Sequence, residues 1–89
     1  MKLIWIVYGQ TVEHDDSREW TVCAYEEQSL ARVHAAQATV FAQKLMSLYR
    51  GNRWDIPKGA NPYDTHMQVD TNGILYSCYG TQIRDALPT

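Results

Sequence analysis

Residues 28–50, QSLARVHAAQATVFAQKLMSLYR, contain neither glycine nor proline. No other stretch of the 89-residue chain is as long and as regular, so the rest of the sequence has to pack against it. Leu30, His34, Ala38, Phe41, Leu45 and Leu48 recur at steps of three and four, which places them on one stripe of a helix. Ala31, Ala35, Ala42, Met46 and Tyr49 widen that stripe. Five alanines favour the helix intrinsically and let a neighbouring layer come close. Glu26 and Glu27 precede the segment and Arg50 ends it, complementing the helix dipole. Gly51 follows at once and suits the left-handed residue that commonly closes a helix. A helix of this length, about 34 Å, is marginal alone in water and needs a partner layer.

Strands supply that layer. Leu3–Tyr8 (LIWIVY) is apolar on both faces and reads as a central strand. Gly9–Ser17 is a polar connection, and Arg18–Tyr25 a second strand, so the pair reads as a hairpin with a long loop. Strict alternation would put Trp20, Val22 and Ala24 on one face and Thr21, Cys23 and Tyr25 on the other. After the helix, Gly51–Thr65 is rich in Gly, Pro, Asn and Asp. It is long for a loop. Trp54, Ile56 and Tyr63 make it a packed loop, placed to cover the far face of the sheet. Met67–Val69 reads as a third strand, Asp70–Gly73 as a hairpin turn and Ile74–Tyr79 as a fourth strand. Residues 81–89 read as a flexible tail. The expectation is one α+β domain over residues 1–89, a two-layer ββαββ arrangement with one helix on a four-stranded antiparallel sheet.

A chain this short buries only about 60–65% of its unfolded surface, so the core is small. One helix covers one face of a sheet, which leaves the second face for a loop, a second copy or a partner. Ten acidic against eight basic residues argue against direct nucleic-acid binding. The charges are unevenly spread. Glu13, Asp15, Asp16, Glu19, Glu26 and Glu27 crowd the first hairpin and the helix start. Lys44, Arg50, Arg53 and Lys58 crowd the helix end and long loop. No apolar run approaches the roughly 20 residues of a membrane span, and MKLIWIVYG reads as a strand rather than a leader.

Chemistry-bearing residues are present without a catalytic pattern. His14, Asp15, Asp16, Asp64 and His66 include metal-ligand types, yet no HExxH, paired-cysteine or helical His-pair spacing occurs. Cys23 and Cys78 read as buried reduced thiols. His34 reads as a core histidine bonded to a neighbour. No nucleophile elbow or phosphate-binding glycine loop is present, so the expectation is no enzyme, no metal and no cofactor. Three tryptophans and six tyrosines exceed what one small core needs, and such residues favour binding surfaces.

YGQTVEHDDSREWTVCAY, the alanine-rich helix and NPYDTHMQVDTNGILYSCY together resemble a group of small uncharacterised bacteriophage and prophage proteins. The matching positions are Gly9, Thr11, Glu13, Asp16, Glu19, Trp20, Asn61, Pro62, Tyr63 and Asp64. Val12 and His14 stand where that pattern often has glycine and an aromatic residue. The resemblance carries no known activity. It implies a phage origin and a role in the cytoplasm of an infected bacterium.

From these readings the leading expectation is an interaction protein that binds and inhibits a host or anti-phage defence protein, CRISPR machinery being one target class. The expected binding patch joins Glu13, Asp15, Asp16, Glu19 and Trp20 to Asn61, Tyr63 and Asp64. The alternative is a small-molecule or nucleotide binder, a homodimeric sponge with Arg50 or Arg53 meeting phosphate.

Overall fold

The structure is a computed structural model that describes residues 2–12, 17–69 and 73–84. The chain runs β1 (Lys2–Thr11), β2 (Glu19–Tyr25), α1 (Gln28–Leu48), a short 3-10 turn (Arg53–Asp55) and β3 (Ile74–Ile83). The sheet has three antiparallel strands in the order β2-β1-β3, with α1 on one face. The expected four-stranded ββαββ sheet is therefore corrected to ββαβ. β1 is paired on both edges, by β2 from Trp5 to Gln10 and by β3 along its whole length, and the edge of β3 that Met67–Val69 would need is met at Tyr76 by the Thr39 hydroxyl of α1. Met67–Val69 is used otherwise. Met67 packs against the core, and the Val69 carbonyl accepts a bond from the Arg18 guanidinium at 3.0 Å. Of the expected turn, Asp70, Thr71 and Asn72 lie outside the described residues, while Gly73 takes a positive φ of 115° just before β3. β3 extends to Ile83, three residues into the stretch read as a tail.

The first hairpin closes through Thr11, whose N–H donates to the Arg18 carbonyl and whose hydroxyl accepts from the Arg18 N–H. β2 does not alternate strictly. Val7 faces Cys23 and Tyr8 faces Thr21, so Val22 is an extra residue, a β-bulge. The bulge resets the phase. Trp20 comes to the same face as Cys23 and Tyr25, contrary to strict alternation.

The core lies between that face and the helix. Val7, Ile74 and Tyr76 meet Ala31, Ala35, Ala38 and Ala42, with Trp5, Trp20, Tyr25 and Tyr63 packed around them. Large aromatic residues on the sheet leave room only for alanine on the helix. The stripe is accordingly rotated from the expected one: Leu30 and Leu48 are exposed, and His34 and Phe41 sit on its flank. The helix ends at Leu48, and the positive-φ glycines among the described residues are Gly59 and Gly73 rather than Gly51. Glu27 occupies the N-cap without a side-chain bond, and Glu26 pairs with Lys2 at 2.6 Å on the surface. Among the described residues no helix is long and apolar enough to cross a membrane.

The loop after the helix does not cover the far face of the sheet. Ile56 packs on Leu45 and Met46, and Asn61 donates to the Ala38 carbonyl at 3.1 Å, both on the helical side.

Candidate functional site

Two regions compete for function, and they lie on opposite faces of the sheet. On the helical side a buried carboxylate ties three elements together. Asp64 Oδ2 accepts from Trp20 Nε1 at 2.8 Å and from the Tyr76 hydroxyl at 2.7 Å. Asp64 Oδ1 accepts from the His66 N–H at 3.1 Å. Gly9 sits between Trp20 and Tyr76 in register, so the indole crosses the central strand to reach the carboxylate. Trp20 and Tyr76 meet edge-on, ring centres 6.2 Å apart. Burial first, then the hydrogen bond to Asp64 and its negative charge, push the Tyr76 phenol far above its usual pKa.

Asn61 is fully buried and organises the loop that delivers Asp64. Its amide nitrogen donates to the Ala38 carbonyl, and its side-chain oxygen accepts from the Tyr63 N–H at 3.0 Å. His34 clamps the same loop from the helix. Nε2 lies 2.6 Å from the Tyr63 carbonyl, which can only accept, so Nε2 carries the proton. In the neutral ring Nδ1 then accepts from the Tyr25 hydroxyl at 2.7 Å. The histidine is thus bonded to neighbours, as its place beside the helix stripe implies.

A groove of about 370 Å³ runs between β2 and this loop, lined by Thr21, Cys23, His34, Pro62, Asp64 and His66 among others. Burial, then the charge of Asp64, raise the Cys23 thiol above its ordinary pKa, which keeps it protonated at neutral pH. Both ring nitrogens of His34 are engaged. Among the described residues no three His, Cys, Asp or Glu side chains converge as a metal site would require.

The expected binding patch is divided by the fold. Trp20, Asn61, Tyr63 and Asp64 do come together, but Asn61 and Asp64 are buried and Trp20 and Tyr63 half-buried. Glu19 is exposed and pairs with Gln10, on the opposite face from Trp20. Glu13, Asp15 and Asp16 lie outside the described residues.

The second region is the outer face of the sheet. Alternation from buried Val7 and Tyr76 sends Ile4, Ile6 and Tyr8 of β1 and Leu75, Tyr79 and Ile83 of β3 outward. Leu75, Tyr79 and Ile83 are 43%, 45% and 39% exposed, and Tyr8 packs against Tyr79 with ring centres 5.5 Å apart. No described element covers this face. In an antiparallel sheet with one solvated side, that side is ordinarily polar. Apolar Leu3–Tyr8 was the sequence signal for it, whereas the β3 contribution depends on a register that the sequence does not display. No family model, no curated protein and no solved structure matches the chain.

Proposed function

We propose that the chain is a small interaction protein that docks a protein partner on the outer face of its sheet. The resemblance to bacteriophage proteins supports a partner of one kind, a host or anti-phage defence protein that docking inhibits. The observation that carries the reading is the uncovered apolar face formed by Ile4, Ile6, Tyr8, Leu75, Tyr79 and Ile83. Contiguous exposed apolar surface of this kind marks interaction sites. Tyrosine pairs such as Tyr8–Tyr79 give large contact area at low entropic cost. The site moves from the loop patch to the sheet because Asn61, Asp64 and the Trp20 indole are committed to holding the fold.

The test is a pull-down from bacterial lysate with tagged wild type, Leu75→Glu and Val40→Glu. Val40 lies on the exposed side of α1 and serves as control. A stoichiometric protein that binds wild type and Val40→Glu and is lost in Leu75→Glu fits the proposal. A partner retained by Leu75→Glu and lost in Val40→Glu contradicts it.

A second reading rests on the groove beside Asp64 and His66: a small polar ligand held between β2 and the loop. It requires a ligand-dependent rise in melting temperature across a nucleotide and metabolite panel, with His66→Ala abolishing the rise.

A further inference from the structure

The two edges of the sheet are unlike. The β2 edge is short, carries the Val22 bulge, and faces the loop 62–66 across the groove. Bulged, crowded edges resist further pairing. β3 is ten residues long, ILYSCYGTQI, with no charge, no proline and an unbroken register against β1. A flat, uncharged edge is a template for another strand.

Part of that edge is capped. The Tyr76 N–H donates to Thr39 Oγ1 of α1 at 3.1 Å, and that hydroxyl in turn donates to the Ala35 carbonyl. The Tyr76 N–H therefore points away from β1. Backbone groups alternate along a strand, so those of Cys78, Gly80 and Gln82 point the same way. No bond from these three to a described residue off β3 is found. The helix meets the edge at Tyr76, and beyond it no described residue pairs with the strand.

We infer that two copies of the chain pair through this open edge, β3 antiparallel to β3, giving a six-stranded sheet. The free stretch from Cys78 to Arg84 has its midpoint at Thr81. A two-fold axis there lets Gly80 of each copy exchange backbone bonds with Gln82 of the other. On the outer face it sets Tyr79 against Ile83 of the second copy and Thr81 against its own counterpart, aromatic with β-branched and threonine with threonine. Such cross-strand pairs stabilise sheets. A second copy fits this stretch because it is self-complementary about Thr81, and the shorter, bulged β2 edge is the poorer template for pairing. The pairing then closes as a two-fold dimer instead of growing into a filament. The inference concerns the edge and does not depend on what docks on the face.

The test begins with the wild-type chain in light scattering after gel filtration, at concentrations from 1 to 100 µM (on the order of common dimer affinities). The expected mass is twice the 10.2 kDa of the chain. Gln82→Pro removes one outward N–H and leaves the β1 ladder intact, so it weakens the dimer at least tenfold while Gln82→Ala does not. Thr81→Cys reports independently of any folding defect. Directly opposite residues of a non-bonded pair lie about 4.5 Å apart at Cα, within disulfide range. Mild oxidation therefore yields a covalent dimer from Thr81→Cys and none from Ser77→Cys. A wild-type mass of one chain throughout overturns the inference. So does a dimer that persists in Gln82→Pro and is not trapped by Thr81→Cys.

Discussion

Gly9 lies directly beneath the indole of Trp20: a β-carbon at position 9 would stand 2.6 Å from Trp20 Cζ2 and 2.9 Å from Tyr76 Cε1. Contact that close forces atoms to move. Gly9→Ala must push the indole aside and break its bond to Asp64, an overpacking cost of about 1–3 kcal/mol. Urea unfolding followed by tryptophan fluorescence measures it. The same change at Gly51, which faces open space, should shift stability far less.

Asp64 is the acceptor on which Trp20 and Tyr76 converge. Asp64→Ala leaves two donors unpaired in the core, each costing about 1–3 kcal/mol. Asp64→Asn can set its oxygen in the place of Oδ2 and keep both bonds, giving up only the acceptor for the His66 N–H, and so loses less. Chemical denaturation of the three chains should rank wild type above Asn and Asn above Ala.

Tyr76 supplies a pH dependence. Its folded pKa is raised above the unfolded value, so the folded chain holds a proton that the unfolded chain releases. The stability this contributes is complete below about pH 10, the ordinary tyrosine pKa, and is lost as pH rises beyond it, by at most about 1.4 kcal/mol per pH unit. Unfolding curves between pH 8 and 11 (roughly the span around that ordinary value) should fall more steeply for wild type than for Tyr76→Phe.

Asn61 holds the loop onto α1 from a fully buried position. Asn61→Ala removes the bond to Ala38 and the acceptor for the Tyr63 N–H, costing about 1–3 kcal/mol. Hydrogen exchange should speed up first at Tyr63 and Asp64, while the β1–β3 ladder keeps its protection.

The helix, the central position of β1 and the first hairpin were legible because each rests on local pattern: a glycine-free stretch, an unbroken apolar run, and two strands joined by turn formers. The phase of β2 was not. One extra residue at Val22 reverses which side Trp20 occupies, and nothing in REWTVCAY marks the bulge. Met67–Val69 has strand-like composition, but the edge of β3 it would pair with is met at Tyr76 by Thr39 of α1, and its own residues contact the core and Arg18 instead. The candidate patch was half legible. The sequence grouped Trp20 with Asn61, Tyr63 and Asp64, and the fold does bring them together. Their burial follows from the bulge and from the alanine ridge, neither of which can be read before the strands are paired.

The central claim is that the uncovered sheet face, rather than the loop patch or the helix, meets a partner. A photo-crosslinking residue placed at Ile6 on that face, at Thr65 in the loop beside the groove and at Val33 on the exposed helix side tests it directly in bacterial lysate. The account predicts one dominant crosslinked protein from Ile6 and none from Val33. The same protein captured from Thr65 or Val33 but not from Ile6 would contradict it.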